Sequence, residues 1–390
     1  MANAPMETYR LTAEFYRAKV AQIQAQLAES RLDGLLLLDP YNVMYASGFF
    51  HVPSERPLGM YIPQSGQASL YVPLLEQEHA AETWIRTIRV YFEFPGEEHP
   101  TVWMARETGA KRLGVDSISY TLHGKLSAVT EIVVSPIVAE MRLIKSAEEC
   151  KLVELAAGYA DYCVNQVFEQ AGPIIRDGGS ELDVLSACLS ATSAKMRAEV
   201  GDVFELYGGA VVGTVHSGPQ AAFPHGRPNR RVPQVGETLI AGIGAKVYGY
   251  HAESGATFIL GEPTSEQMHI LKAMQACNDA GVDALRVGNV GAAVNEVALS
   301  ALREAGLGAH IRHRIGHGIG VQGHEAPYLA PGDQTLLQAG MVFSNEPGVY
   351  RPGIDGYRTI NTMIVTEGEA HIPSRWLATH PPETRIIPLS

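Results

Sequence analysis

Hydrophobic and polar positions follow two different periods along the chain, and each change of period marks a predicted element. After Thr12, apolar residues recur every three to four positions, which predicts a helix as far as Ala28. A short apolar run over residues 35–38 predicts a buried strand, and Asp39 with Pro40 predicts a turn after it. Helix and strand patterns alternate as far as Val115, so this part is predicted to be α/β with a mixed sheet.

Longer amphipathic helices dominate the second part of the chain. Ser146 and Glu149 have the spacing of a helix capping box, and we place the domain boundary here, giving domains 1–144 and 145–390. Further helices are predicted over residues 180–200, 265–285 and 290–305, and strands over residues 204–207, 237–242, 246–250, 257–260, 341–345 and 362–365. This pattern predicts an α+β fold in which helices pack on a strongly curved sheet.

Composition and charge narrow the classes of partner. The length of 390 residues exceeds what one compact core usually organises, which supports two domains. A net charge of -12 argues against a nucleic-acid partner, which would need a clustered basic face. No apolar run reaches the length of a membrane span and the first residues lack a signal-peptide profile, so a cytoplasmic protein without a membrane partner is expected. The four cysteines show no C-x-x-C spacing and are expected to be reduced thiols.

Histidines and glutamates in the second half occur in four short segments. Three of the 14 histidines fall within one glycine-rich stretch, namely His313, His317 and His324. Imidazole titrates near neutral pH and is a common metal ligand, so this cluster indicates a reactive cleft. The other segments carry His225 in a proline-framed loop, Glu253 at the end of a predicted strand, and Glu346 before a Pro-Gly turn. Any one of them also fits a purely structural role, but together they favour a functional site.

Taken in this order, the segments resemble the pita-bread family of creatinases, aminopeptidases P, prolidases and methionine aminopeptidases. The resemblance rests on residues 32–48 and 141–149 in the first half, and on residues 217–225, 316–318 (Gly-His-Gly) and 345–348 (Asn-Glu-Pro-Gly) in the second. It implies a small α/β creatinase-type N-terminal domain followed by a pita-bread catalytic domain with helices on a curved antiparallel sheet. It also implies a hydrolase that acts on C–N bonds.

The chain departs from the family at the metal ligands. Family metallopeptidases hold two ions with two aspartates, a histidine and two glutamates, and the resemblance retains Glu253, His317 and Glu346 among these positions. The first aspartate position is Gly242 and the final glutamate position is Ile360, so neither offers a donor side chain. Two divalent ions would therefore bring charge that two carboxylates do not balance. A single ion such as Mn or Zn on the three retained residues stays open as an alternative.

This pattern is closer to the metal-independent members of the family, such as creatinase and ectoine hydrolase. The leading hypothesis is therefore a metal-independent hydrolase without a cofactor, which cleaves an amidine, guanidine or amide C–N bond in a small cationic or zwitterionic substrate. The resemblance implies that His225 is a general base and that Glu253 and Glu346 hold the cation, or that Glu253 is a nucleophile. His317 and His324 would then stabilise the intermediate or protonate the leaving nitrogen.

Four further residues are candidates for substrate binding: Arg56, His313, Tyr250 and Arg358. Arg56 resembles the creatinase arginine that reaches into the neighbouring protomer's site, which implies a carboxylate clamp and a homodimer. His313 and His324 instead resemble aminopeptidase P. Two alternatives follow: an Xaa-Pro aminopeptidase or dipeptidase with an atypical metal site, and a catalytically inactive pita-bread binding module. The retained histidines and glutamates argue against the inactive module.

Overall fold

The computed structural model describes residues 10–201 and 210–389. These residues divide into two compact units, one formed by Arg10–Arg142 and the other by the rest of the described chain. The strand predicted over residues 204–207 lies outside the described residues. Within the described ranges, no helix combines the length and hydrophobicity needed to cross a membrane.

The N-terminal unit is an α/β structure built on one mixed sheet, as predicted. Its elements are α1 (Ala13–Glu29), β1 (Gly34–Leu37), α2 (Pro40–Ser47), β2 (Gly59–Pro63), β3 (Ser69–Pro73), α3 (Gln77–Ala81), β4 (Thr87–Tyr91), α4 (Pro100–Glu107), β5 (Arg112–Val115), α5 (Tyr120–Leu126), β6 (Glu131–Val134) and α6 (Ile137–Leu143). The six strands are ordered β4-β3-β2-β1-β5-β6. Strand β1 pairs antiparallel with β2 and parallel with β5, so its residues are buried on both faces.

The predicted turn at Asp39 is in fact a helix start. The Asp39 side chain accepts hydrogen bonds from the backbone N–H groups of Tyr41 and Asn42, both at 3.0 Å, and so caps α2. Pro40 occupies the first helical position, where its missing N–H costs nothing and its fixed φ suits the helix. Aspartate followed by proline serves a turn and a helix start equally well, and the sequence pattern alone did not separate the two.

The second unit consists of helices packed on a curved antiparallel sheet, as the family resemblance implies. Its elements are α7 (Ala147–Arg176), α8 (Glu181–Val200), β7 (Val211–Ser217), β8 (Thr238–Val247), β9 (Tyr250–Leu260), α9 (Ser265–Ala284), α10 (Gly291–Glu304), β10 (Gly316–Gly318), β11 (Glu325–Leu329), β12 (Val342–Asn345), β13 (Gly348–Arg351), β14 (Asp355–Arg358), β15 (Ile360–Ile364), α11 (Trp376–Thr379) and β16 (Ile386–Ile387). The main sheet is ordered β11-β10-β12-β15-β9-β8-β7, and β16 adds to β9. Helices α9 and α10 bury Met274 and Val294 in the same core as Phe343 and Met363 of the sheet.

One long hairpin replaces three shorter strands that the sequence pattern predicted between residues 237 and 260. Strands β8 and β9 pair continuously from Thr238 with Ile259 to Val247 with Tyr250. Tyr248 and Gly249 both have positive φ, 45° and 80°, which is the conformation of a two-residue hairpin turn. The glycines and alanines in the middle of the strands have weak strand preference, but their burial in the sheet overrides it. Glu253 therefore lies inside a strand and not at its end.

Helix α7 packs against the β8–β9 hairpin, and its first turn is fixed by a capping box. The Ser146 hydroxyl accepts from the Glu149 N–H at 3.3 Å, and the Glu149 carboxylate accepts from the Ser146 N–H at 2.8 Å. The same carboxylate accepts a 2.5 Å hydrogen bond from the Tyr250 hydroxyl at the start of β9. The cap therefore ties the helix to the strand that carries Glu253.

We expect Ser146→Ala to lower the free energy of unfolding by about 0.5–2 kcal/mol, because it removes the acceptor of the N-cap. Gly158→Ala is the opposite control in the same helix, since its added Cβ meets nothing within 4 Å. Replacing a mid-helix glycine should raise stability by about 0.5–1 kcal/mol. Thermal unfolding followed by circular dichroism measures both, and equal shifts of the same sign would contradict the capping role.

Candidate active site

Three neighbouring parts of the main sheet bring Glu253, His317 and Glu346 together. Glu253 lies on β9, His317 lies on β10, and Glu346 directly follows β12. The Thr362 hydroxyl fixes the Glu253 backbone, because it accepts from its N–H and donates to its carbonyl, both at 2.8 Å. The Ser344 hydroxyl donates to Glu253 Oε2 at 2.7 Å and so fixes the carboxylate as well.

The imidazole of His317 lies between the two carboxylates and is fully buried. Its Nδ1 lies 3.0 Å from the Gly318 carbonyl, which can only accept, so Nδ1 carries a proton. Its Nε2 lies 3.4 Å from Glu346 Oε1 and 3.8 Å from Glu253 Oε2. Nε2 nevertheless has no hydrogen-bond partner of good geometry among the described residues. A buried polar atom of this kind calls for an explanation, and a bound ion is one.

Burial and mutual attraction set the protonation of this cluster. Burial raises the pKa of Glu253 more than attraction to His317 lowers it, and the charge of Glu346 raises it further. Burial also acts to raise the pKa of Glu346, but the polar contact with His317 and the positive charges around it lower that pKa to about 2. Burial lowers the pKa of His317, yet the two carboxylates outweigh it and the net shift is upward. Glu346 is therefore ionised at neutral pH, whereas the raised pKa of Glu253 makes its charged form harder to reach, and a nearby cation would favour that form.

Two more histidines of the cluster face the same space. The ring of His324 stacks on that of His317 with 3.7 Å between their centroids. His313 is held by two contacts, from Nδ1 to the Arg314 carbonyl at 2.6 Å and from Nε2 to the Tyr350 hydroxyl at 2.9 Å. Burial lowers the pKa of both histidines, so both are neutral at pH 7.

These groups open into a cavity of about 560 Å³, which is the size of a small-ligand site. Its walls carry three arginines, three histidines and one carboxylate. The lining residues are Phe223, Pro224, His225, Gly226, Arg312, His313, Arg314, His324, Glu346 and Arg358. The cavity therefore has a strong excess of basic groups.

The residues present fit one divalent ion. Two ligand atoms bound about 2.1 Å from one ion at tetrahedral angles lie about 3.4 Å apart. The distances from His317 Nε2 to the two carboxylates, 3.4 and 3.8 Å, are close to that spacing. Donor atoms of Glu253, His317 and His324 also lie within 4.8 Å of one another. Carboxylate and imidazole donors of this kind suit Mn or Zn.

A second ion does not fit in the same way. A Cβ on Gly242 would overlap Nη2 of Arg358 and would lie 3.3 Å from Cδ1 of Ile360. At the two positions where the family resemblance implies carboxylate donors, this chain therefore places a guanidinium and a methyl group. A guanidinium is always charged, so it opposes a second cation there.

The structure brings most, but not all, of the predicted site residues to the cavity. His225, His313, His324, Glu346 and Arg358 line it, and Glu253 and His317 lie in the adjoining cluster. Tyr250 does not line it, because its side chain is buried and its hydroxyl donates to Glu149. Arg56 belongs to the N-terminal unit, where it forms a two-pronged ion pair with Glu93 at 2.7 and 3.1 Å.

Sequence reasoning missed several contributors to the site. Arg312 and Arg314 flank His313 in the sequence, so their position beside the histidine cluster was a usable signal. Ser344 and Thr362 carried no such signal, since their role depends on strand pairing far along the chain. The buried ion pair between Lys145 and Glu325 was also missed, and it lies next to His324 in sequence.

The fold and this site define a two-domain hydrolase with a carboxylate and imidazole centre. The chain belongs to metallopeptidase family M24, whose family model matches residues 152–367. Residues 19–144 match the creatinase/prolidase N-terminal domain. The predictions of the pita-bread family and of a hydrolase acting on C–N bonds are thereby confirmed.

Curated relatives align over most of their length. The chain is 29% identical over 378 residues to the probable dipeptidase PepE of Mycobacterium bovis, covering 94% of this chain and 96% of that protein. It is 29% identical over 356 residues to the Xaa-Pro dipeptidase of Pyrococcus horikoshii, covering 90% and 94%. The crystal structure of dipeptidase PepE from Mycobacterium ulcerans matches with a TM-score of 0.82 and 28% identity, covering 97% of this chain and 100% of that chain.

These findings overturn the leading functional hypothesis from the sequence. The chain belongs to a metallopeptidase family and its relatives are named dipeptidases, so the metal-independent hydrolase and the prediction of no cofactor are wrong. The error came from equating the loss of donors at Gly242 and Ile360 with the loss of metal. Enough donors remain in one place for one ion.

The loop that carries His324 is anchored by the buried ion pair of Lys145 and Glu325, whose charged atoms are 2.8 Å apart. Lys145→Met should lower the free energy of unfolding by about 3–5 kcal/mol, because it leaves the buried Glu325 without this ion-pair partner. The double variant Lys145→Met with Glu325→Leu should recover most of that loss, since two apolar groups need no partner. Urea denaturation measures both, and additive losses would show that the two side chains do not act as a pair.

Proposed function

We propose that this chain hydrolyses the peptide bond of small peptides, with one divalent ion held by Glu253, His317 and Glu346. The observation that carries the proposal is the convergence of two carboxylates on the buried Nε2 of His317 at 3.4 and 3.8 Å. His324 stacks beside them and offers a further donor. Relatives named dipeptidase and Xaa-Pro dipeptidase support dipeptides, including Xaa-Pro dipeptides, as the first substrates to test.

A divalent ion in this cluster supplies Lewis-acid polarisation of the scissile carbonyl and activation of a water molecule. The chain's own residues complete the site around it. Glu346 is ionised and Glu253 is fixed by Ser344, so both carboxylates are oriented before substrate arrives. Neutral His324 faces the cavity and is suited to donate to a peptide carbonyl or to the leaving nitrogen, whereas the single N–H of neutral His313 donates to the Arg314 carbonyl.

His225 also lines the cavity, and it lies in an exposed loop. The loop is held where it is because Arg358 Nη1 donates to the Pro224 carbonyl at 3.1 Å. The Gly226 N–H also donates to the Phe223 carbonyl at 3.0 Å, which closes a turn around His225. Its position suits a proton-transfer group that meets the substrate as it enters.

The purified protein should contain about one divalent ion per chain, and chelation should abolish peptidase activity until Mn or Zn is returned. Glu253→Gln should reduce ion affinity and activity together. Loss of a group that only orients a ligand costs about 10–100-fold in affinity, so loss of the ligand itself should cost at least about 100-fold. Elemental analysis and dipeptide hydrolysis measure the two effects.

Glu262→Gln is the matched control for Glu253→Gln, because it is an exposed glutamate just beyond the same strand. It should change neither ion content nor activity. Two ions per chain, or activity that persists at full chelation, would contradict the proposal of a single functional ion.

A homodimer and a cytoplasmic location remain predictions from the sequence. In the predicted homodimer, Arg56 of one protomer would bind a substrate carboxylate in the site of the other. If Arg56 acts in the partner's site, mixed dimers of Arg56→Ala and Glu253→Gln chains contain one complete site. Mixing two nearly inactive variants should therefore restore activity, to about one quarter to one half of wild type. Sedimentation must show mixed dimers, and dimers that form without recovered activity would remove this role.

A further inference from the structure

We propose that Arg358 is an anion receptor that binds a carboxylate of the substrate beside the scissile bond. The inference deepens the proposed peptidase function, on which it rests, because it names the chemical class of peptide that the cavity takes. It begins from the position of the guanidinium, which occupies the space that a side chain on Gly242 would fill. The protein itself therefore provides a fixed positive charge close enough to Glu253 and Glu346 to act on both carboxylates.

The charge of Arg358 is buried, and no carboxylate of the described part of the chain forms an ion pair with it. The residue is only 8% exposed. Its Nη1 donates to the Pro224 carbonyl at 3.1 Å and its Nη2 to the Thr214 hydroxyl at 3.4 Å, and both acceptors are neutral. Its Nε has no hydrogen-bond partner among the described residues. A buried cation without a paired anion is costly, and an incoming anion would remove that cost.

The neighbouring carboxylate of Glu346 does not form an ion pair with Arg358. Glu346 lies within range of the Arg358 charge, which helps to lower its pKa, but its Oε1 is directed to His317 Nε2 at 3.4 Å. No ion pair joins Arg358 to a carboxylate in the described ranges, and its guanidinium lines the cavity. The donor fork of arginine matches a carboxylate in planar, two-pronged geometry.

Two further arginines at the cavity also favour an anionic ligand. Arg312 and Arg314 also line it, and their donors go to backbone carbonyls, of Ala309 at 2.7 Å and of Gly316 at 2.9 Å. Arg314 lies over the ring of Tyr328 at 4.7 Å. Among residues 10–201 and 210–389, none of these three guanidinium groups pairs with a carboxylate, and all three face one small volume. A peptide with a carboxylate near the scissile bond suits this volume better than a neutral or cationic one.

In a dipeptide, a carboxylate near the scissile bond can be either the C-terminal carboxylate or that of an acidic side chain. Binding to chelated, metal-free protein separates them from each other and from catalysis. Isothermal titration should compare Ala-Ala with Ala-Ala amide, and Ala-Asp with Ala-Asn. Removal of the carboxylate that Arg358 binds should weaken binding by about 10- to 100-fold, the range for a charge-assisted hydrogen-bond pair. The pair that shows the loss identifies the source.

The variant Arg358→Gln should abolish that preference, and Arg358→Lys should reduce it, because lysine keeps the charge but not the fork. Arg286→Gln is the matched control, since Arg286 is half-buried, donates to two backbone carbonyls and does not line this cavity. It should leave binding unchanged. If Arg358→Gln fails to fold, Arg358→Lys decides the question.

The inference would be overturned if the wild type bound the carboxylate-containing and the amide-containing peptide of each pair equally well. It would also be overturned if Arg358→Gln kept the preference for the carboxylate, or if Arg358→Lys showed the preference at full strength. The outcomes also separate the two proposals. Carboxylate-selective binding by a protein that hydrolyses no peptide would leave this inference standing and overturn the peptidase. Peptide hydrolysis without a preference for the carboxylate would support the peptidase and overturn this inference.

Discussion

Two carboxylates and an imidazole buried side by side are the constraint around which the catalytic unit is built. Like charges this close raise each other's cost of burial, so the cluster is tolerable only with a positive charge between them. Glycines on the strand that carries His317 allow the close strand packing that this cluster requires. A Cβ on Gly316 would overlap the Ser344 carbonyl, and one on Gly318 would lie 2.5 Å from that of Ala326. The glycines beside His317 therefore serve close strand packing, which aims its Nε2 at both carboxylates.

Arg358 changes what the site needs from its cofactor. In a site with two divalent ions, four positive charges come from exchangeable ions. Here one positive charge is covalently part of the chain, and a Cβ on Gly242 would overlap its Nη2. Guanidinium neither accepts a lone pair nor activates water, so its single charge replaces only part of the electrostatic contribution of a second divalent ion and none of its Lewis acidity. In the proposed function, an ion held by His317 and the two glutamates would supply that Lewis acidity.

Local patterns predicted the parts of the fold that depend on local interactions. The capping box at Ser146 and the first helix after Thr12 are present because neighbouring residues satisfy each other's hydrogen bonds. The β8–β9 hairpin was missed because a positive φ at Tyr248 and burial of small residues override their propensities. The overlap of Arg358 with the space at Gly242 was invisible in the sequence, since it arises only when distant strands are brought together. The metal-independent hypothesis was wrong for a similar reason. The sequence showed which ligand positions lack a donor side chain, but not that the remaining donors lie close together in the fold.

The charge of the cavity is opposite to that of the whole chain, and the two act over different distances. The net charge of -12 repels small anions from the protein as a whole. At physiological salt that repulsion is screened beyond about 8 Å, whereas groups lining one narrow cavity act at shorter range and in a lower dielectric. Inside about 560 Å³, three guanidinium groups face one ionised glutamate. Selection between anionic and neutral peptides is therefore made after entry, by Arg358 and its neighbours, and owes little to the long-range field.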